Sequence, residues 1–91
     1  MEFKYEDNRI YVEKENGELL AEITFPETEE GIVDIDHTYV SDELRGQGVA
    51  GKLVKAAADT ISASGKKAKT SCSYAASWAE KHPEEKVFIR A

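Results

Sequence analysis

The amino-acid sequence predicts an α/β fold with a mixed sheet, in which an antiparallel meander is followed by a strand-helix-strand-helix unit. Up to Val40, apolar side chains alternate with polar ones, and this period of two is typical of strands. After Val49, apolar residues recur at the spacing of an amphipathic helix. Three glycines, Gly46, Gly48 and Gly51, separate the two patterns. The length of 91 residues predicts one domain over residues 1–91.

The meander begins with two short strands, predicted over residues 3–6 and 9–14, where Tyr, Val and Ile are frequent. Asn16-Gly17 is the strongest hairpin signal, and it leads into a strand over residues 19–25. The polar residues 26–31 predict a loop. A strand over residues 32–40 follows, and strict alternation places four of its side chains on one apolar face: Val33, Ile35, His37 and Tyr39.

The second half predicts a helix over residues 49–64, with Gly65 as the residue that ends it. A strand over residues 67–72 should then run parallel to the strand that ends at Val40, because a helix connects them. A second helix is predicted over residues 74–81, and residues 87–89 form a last short strand or tail.

Composition excludes several classes of function. The net charge of −6 argues against a protein that binds nucleic acid through its phosphates. No stretch of about 20 apolar residues is present, so no membrane span is expected. One cysteine cannot form an internal disulfide, which fits a reducing, cytoplasmic location. Two histidines and one cysteine, far apart in sequence, provide no metal-ligand spacing, so no metal site is expected.

The glycine-rich stretch from Arg45 to Leu53 predicts an anion site, because free amides and the helix dipole meet at a helix N-terminus. The glycines can also be explained by the steric needs of a tight turn. A P-loop is excluded, because Leu53 follows Lys52 where that motif requires Ser or Thr. Gly46, Gly48 and Gly51 match the dinucleotide fingerprint, but the chain is too short for that fold.

Residues 40–50 resemble motif A of the GNAT superfamily of acetyl-coenzyme A-dependent N-acetyltransferases, whose core is matched by Arg45, Gly48 and Ala50. The pair His37-Thr38 and the later Cys72 make the resemblance closest to the short stand-alone GNAT-like proteins, over roughly residues 30–90. The resemblance implies that backbone amides of the turn hold the pyrophosphate of acetyl-coenzyme A and that the preceding strand pairs with the pantetheine arm. The cofactor-binding residues are then expected to be Val40, Arg45, Gly46, Gln47, Gly48, Val49, Ala50, Gly51 and Lys52.

Two residues are candidates for catalysis. Cys72 should precede a helix, whose N–H groups could stabilise a thiolate, and the resemblance places it near the thioester. It could accept an acetyl group, line the pocket, or be a small buried side chain. His37 is the first candidate for the general base, although a histidine on an apolar face can equally be a hydrogen-bonded core residue. Asp34 and Asp36 are alternative bases, or they belong to a solvated strand face.

The sequence departs from the GNAT pattern at two points. Ala79 occupies the position of the usual leaving-group tyrosine, and Tyr74 lies on a different helix face. The N-terminal third predicts only strands, whereas full-size GNAT domains have helices there that wall the acceptor site. An open acceptor side favours a protein amine or a polyamine. The basic run at Lys66, Lys67 and Lys69 could meet the cofactor's 3′-phosphate or be a solvated helix end.

Three functions follow from these observations. The first is acetyl-coenzyme A-dependent N-acetyl transfer to an amine acceptor. The second is a non-catalytic domain that binds coenzyme A or a protein partner and has lost the catalytic acid. The third is a protein-binding module in which the glycines form only a tight turn.

Overall fold

The computed structural model describes residues 2–90, which contain seven strands, two α-helices and one short 3₁₀ helix over Asp42–Leu44. In chain order the strands and α-helices are β1 (Lys4–Glu6), β2 (Arg9–Glu13), β3 (Leu19–Thr24), β4 (Glu27–Glu29), β5 (Ile32–Ile35), β6 (His37–Val40), α1 (Val49–Ala63), β7 (Lys67–Thr70) and α2 (Ser73–Lys81). The predicted α/β class, with an antiparallel meander before a strand-helix-strand-helix unit, is confirmed.

The first sheet has the order β1-β2-β3-β6, and all of its neighbouring strands are antiparallel. Its inner face packs on α1 and includes the fully buried side chains of Ile10, Ala21 and Ile23. The opposite side, here called the outer face, includes Arg9 and Glu22. The N-terminal hairpins were therefore predicted correctly, because alternation identifies which side of each strand meets the core.

The second sheet has the order β4-β5-β7. Strand β4 pairs with β5 in antiparallel orientation, so the prediction of a loop over residues 26–31 is wrong for Glu27–Glu29. The exposed glutamates of that segment gave no strand signal, since its backbone pairing stabilises it without burying side chains. Strands β5 and β7 are parallel and run in register from Ile32 opposite Lys67 to Ile35 opposite Thr70, which confirms the predicted parallel pair.

The single strand predicted over residues 32–40 is wrong, because it is divided at Asp36 into β5 and β6, which belong to different sheets. Asp36 lies outside both strands, and its N–H donates to the carbonyl of Thr24 over 3.2 Å. One extra residue reverses the direction of every side chain that follows it. The inward positions thus change from Val33 and Ile35 to Thr38 and Val40.

Helix α1 joins the two sheets through one continuous apolar side, whose buried residues are Val49, Leu53, Val54, Ala57, Ala58 and Ile61. Its end confirms the predicted role of Gly65. The Gly65 N–H donates to the Ser62 carbonyl over 3.0 Å, and the Lys66 N–H reaches back to Ile61 over 3.2 Å. Gly65 adopts a φ of 75°, so this helix ends in a Schellman motif.

The segment after helix α2 folds back and contacts the C-terminal end of that helix. Ala75 and Ala79 are buried, and the Trp78 ring stacks on His82 with 3.8 Å between ring centroids. The Arg90 guanidinium donates to three carbonyls beyond or within the last turn of α2, those of Ala79, His82 and Glu85, at 2.9, 3.1 and 2.9 Å. The C-terminal segment also forms a parallel bridge between Phe88 and Ala68 of β7.

We expect Arg90→Ala to lower the free energy of unfolding by about 1–2 kcal/mol, because three carbonyl groups lose a charged donor. Urea denaturation of the variant and the wild type measures this difference. Arg45→Ala is the matched control, since Arg45 is 78% exposed in its pair with Asp42 and should contribute less than about 0.5 kcal/mol. Equal stabilities of the two variants would contradict a clamping role for Arg90.

Candidate functional site

The turn between β6 and α1 begins directly after Val40. The Ser41 hydroxyl accepts the N–H of Glu43 over 3.2 Å, and the N–H of Leu44 donates to the Ser41 carbonyl over 2.9 Å. These bonds form the 3₁₀ turn that redirects the chain. Gly46 and Gly48 then adopt φ angles of 82° and 69°, a left-handed region that favours glycine. Gly48 is the N-cap of α1 and has no side chain with which to satisfy the helix amides.

A hollow of about 260 Å³ lies over this turn and is lined by Val40, Leu44, Arg45, Gly46, Gly48, Val49 and Ala50. A Cβ atom placed on Gly46 or Gly48 would meet nothing within 4 Å, so both glycines face open space. Among residues 2–90, no hydrogen-bond acceptor is recorded for the amides of residues 48–51. Free amides, a helix N-terminus and two bare glycines together form a cradle suited to an anion.

Three of the expected cofactor residues do not line this hollow. Gln47 and Lys52 are exposed beside it. Gly51 instead lies where the two helices approach each other, because a Cβ there would be 3.5 Å from both the Tyr74 hydroxyl oxygen and Trp78 Nε1. The absence of a side chain at Gly51 therefore permits close packing of α2 against the first turn of α1.

The hollow meets β6 at Val40, and β6 belongs to a different sheet from β5 and β7. Strand β6 is at one edge of the first sheet, and the parallel pairing of β5 with β7 ends at Ile35 and Thr70. The backbone of β6 is therefore unpaired on the side facing away from β3. On the inner side of β6, Thr38 Oγ1 lies 3.5 Å from Cys72 Sγ. Since a strand rises about 3.3 Å per residue, Val40 and the hollow are roughly 7 Å further along β6.

Cys72 is the N-cap of α2 and is partly buried. Burial alone would raise the pKa of its thiol, but several donors oppose it: the backbone N–H of Ala75, the hydroxyl and N–H of Thr38, and the N–H of Tyr74. The net effect is a pKa below the ordinary cysteine value. The N–H groups at the start of α2 and the groups of Thr38 thus favour the ionised form of the Cys72 thiol.

The prediction that His37 shares a face with Val33 and Ile35 is wrong. Because of the extra residue at Asp36, the His37 side chain points to the outer face, where it is 51% exposed. Its Nε2 atom lies 3.3 Å from the Glu22 carboxylate, and its neighbour Thr38 is the residue that meets Cys72. The structure therefore does not bring His37 and Cys72 together on one side of β6. Tyr39, also assigned to the apolar face, is 42% exposed.

The two alternative bases are held in structural contacts. Asp34 accepts the N–H and the hydroxyl of Ser71 at 2.9 and 2.7 Å, which ties β5 to the end of β7. Asp36 accepts the hydroxyl of Thr24 and anchors the break between β5 and β6. The sequence did not predict that Thr38 contacts the Cys72 thiol. Its inward direction depends on a strand break that periodicity did not reveal.

Neither Ala79 of α2 nor the lysines after α1 add a group to the hollow. Ala79 is buried, so α2 presents no acid at that position. The basic run at Lys66, Lys67 and Lys69 lies beyond the C-terminal end of α1, roughly 22 Å from Gly48 for a helix of 15 residues. There Lys66 pairs with Glu27 over 2.9 Å. The run is too far away to belong to the hollow.

Within residues 2–90, no cluster of three or more His, Cys, Asp or Glu side chains has an arrangement that could hold a metal ion. In the same range, neither α1 nor α2 has the length and apolar character needed to cross a membrane.

Comparison with known proteins identifies the family. A family model described as GCN5-related N-acetyl-transferase matches residues 9–88. A GCN5-like protein from Staphylococcus aureus, solved by NMR, superposes with a TM-score of 0.82 at 37% identity, covering 99% of this chain and 89% of that one. The chain therefore belongs to the GCN5-related N-acetyltransferase family, and the resemblance found in the sequence is confirmed.

One distant structural match and one partial sequence match are also found. The ribosomal-protein-alanine N-acetyltransferase of Brucella melitensis shares the fold, with a TM-score of 0.55 at 22% identity over 91% of this chain and 63% of its own. Protein NATD1 of Gallus gallus, Mus musculus and Homo sapiens is 40% identical over 52 residues, which are 57% of this chain. The chain aligns with slightly less than half the length of these curated relatives.

The lowered pKa of Cys72 predicts unusually ready alkylation. A thiol whose pKa is below the ordinary value is more fully ionised at pH 7, and the thiolate is the reactive form. We expect the pH midpoint of iodoacetamide alkylation to lie below that of free cysteine. Thr38→Val should move the midpoint upward, because one donor to the sulfur is lost.

Thr28→Val is the control for this measurement, since Thr28 is exposed on β4 and does not contact Cys72. Its midpoint should equal that of the wild type. A Thr38→Val midpoint that also remains unchanged would show that the hydroxyl does not stabilise the thiolate.

Proposed function

We propose that the chain transfers the acetyl group of acetyl-coenzyme A to an amine. Membership of the GCN5-related N-acetyltransferase family supports this activity. The structural observation that supports it most directly is a path along strand β6, which has the hollow at Val40 and Cys72 beside Thr38. Free amides at Gly48 face a hollow, the hollow meets the unpaired edge of β6, and that edge leads to Cys72.

The residues present along this path fit acetyl-coenzyme A. The pyrophosphate is an anion that suits the amides of Gly48 to Ala50, and the bare glycines leave it room. The amides of the pantetheine arm suit the free backbone groups of β6. When bound, the cofactor supplies a thioester, which is an acetyl group already activated toward attack by an amine.

The chain's own groups then have separate tasks. On the inner side of β6, the Thr38 hydroxyl and the helix amides stabilise negative charge on the Cys72 sulfur. His37, on the outer side of the same strand, is placed to take a proton from an amine that approaches from solvent. In this arrangement the acceptor and the cofactor reach the break at Asp36 from opposite faces of the sheet.

The acceptor is proposed to be a protein amine or a polyamine. Between residues 2 and 48 the structure contains strands and one 3₁₀ turn but no α-helix, so no helical wall covers the outer face there. An open face admits a large or extended acceptor. The net charge of −6 favours a cationic one.

A second candidate function is coenzyme A binding without catalysis. It is favoured by the buried Ala79, which leaves α2 without the acid expected of the family, and by the Tyr74 hydroxyl, which lies against α1 near Gly51. Both functions require the same cofactor site. Turnover of an amine separates them.

Calorimetric titration with acetyl-coenzyme A tests the cofactor site, and we expect binding at about micromolar concentration. Gly48→Ala should weaken binding by about tenfold or more, because its methyl group would enter the cradle. Gly65→Ala is the control, since Gly65 has a similar φ of 75° and open surroundings but lies at the other end of α1. Equal affinities for the two variants would reject the cradle.

Acetyl transfer to polyamines and to lysine-containing peptides tests the reaction itself. We expect Cys72→Ala to lower kcat by about 10² while the Kd for acetyl-coenzyme A stays within twofold, because the variant removes a charge-bearing group from the reacting end of the path. Cys72→Ser, which keeps a polar hydrogen-bonding group, should retain more activity. A Cys72→Ala rate equal to that of the wild type would leave Cys72 as a lining residue only.

A further inference from the structure

The outer face of the first sheet contains a chain of charged contacts that leads to His37. Glu22, in the centre of β3, is only 18% exposed. One of its oxygens lies 3.3 Å from His37 Nε2 on β6, and the other accepts the Arg9 Nε–H from β2. The Arg9 guanidinium lies over the Tyr11 ring, 3.9 Å from its centroid. Three adjacent strands therefore contribute to one contact line.

The strand register keeps this line in place. Thr24 is opposite His37 and Tyr39 is opposite Glu22, so His37 and Glu22 are diagonal neighbours on the same face. Diagonal neighbours are within reach of long side chains. Arg9 approaches Glu22 from β2, on the side away from β6, and it also has an exposed contact with Glu6 over 3.1 Å. The carboxylate is thus fixed on one side before it meets the imidazole on the other.

We propose that Glu22 is a positioning residue for His37, and the proposal rests on the acetyl-transfer function given above. A carboxylate can only accept, so we infer that the nearest ring nitrogen, Nε2, is the one that carries the proton. That leaves Nδ1 as the basic atom, directed away from Glu22. Glu22 fixes the orientation of the ring and compensates the positive charge that develops when Nδ1 takes a proton.

The amine nitrogen forms a bond to the acetyl carbon, and its proton moves to Nδ1 of His37. The carbon–sulfur bond breaks, and its electron pair leaves on the sulfur of coenzyme A. The imidazolium that results is paired with the Glu22 carboxylate, and it returns its proton to solvent through its exposed edge. This use of a carboxylate resembles the orienting role of the third member in a catalytic triad.

Two variants test the proposal, Glu22→Leu and the matched Glu6→Leu. Both remove a carboxylate partner of Arg9 from the same sheet, but only Glu22 contacts His37. We expect Glu22→Leu to lower kcat by about tenfold or more with the KM of each substrate unchanged, whereas Glu6→Leu retains wild-type kcat. In a His37→Ala background, Glu22→Leu should have no further effect, because it acts through the ring.

A second readout does not depend on turnover. NMR couplings of the His37 side chain should report one rotamer in the wild type and in Glu6→Leu, and rotamer averaging in Glu22→Leu. Circular dichroism checks that each variant is folded. If Glu22→Leu is unfolded, Glu22→Gln, which keeps the side-chain shape, replaces it in both measurements.

The outcomes separate the two proposals. Identical kcat and identical His37 rotamers in the Glu22 and Glu6 variants would overturn the positioning role while leaving acetyl transfer intact. A loss that persists in the His37→Ala background would also overturn it, because Glu22 would then act elsewhere. A wild-type chain that binds acetyl-coenzyme A but acetylates no amine overturns the transfer function and, with it, the base role of His37.

Discussion

The extra residue at Asp36 is the constraint on which the rest of the structure depends. All four residues of β7 pair with Ile32–Ile35, and this pairing ends directly before Asp36. Because Asp36 belongs to neither strand, β5 remains with β7 while β6 joins β3. Strand β6 is therefore the last strand of its sheet, and its edge away from β3 is unpaired.

The same residue also decides which side chains meet. It directs Thr38 toward Cys72 and His37 toward Glu22, so that neighbouring residues serve opposite faces of one strand. The break is held from both sides, since the Asp36 N–H donates to the Thr24 carbonyl and its carboxylate accepts the Thr24 hydroxyl. These two bonds therefore maintain a break between β5 and β6 where the alternation of apolar and polar residues predicts a continuous strand.

Elements with a local physical signature were predictable from the sequence. The helix over Val49–Ala63 follows from apolar spacing. Its end follows from Gly65, because glycine is the residue type that adopts the left-handed conformation at low cost. The left-handed turns at Gly46 and Gly48 follow from the same logic. By contrast, β4 and the break at Asp36 depend on backbone pairing between segments distant in sequence, for which polar side chains such as Glu27 and Asp36 provide no pattern. The contacts of His37 and Thr38 were missed for this reason, because their direction depends on that break.

The close approach at Gly51 has an optical consequence. Trp78 is the single tryptophan of the chain, and its indole nitrogen lies beside the first turn of α1 while its ring stacks on His82. The amides of that turn are the ones that face the hollow, so the emission of this one fluorophore samples the electric field at the cradle. The protein thus contains its own spectroscopic reporter of charge at the α1 terminus, with no label needed and no second tryptophan to obscure it.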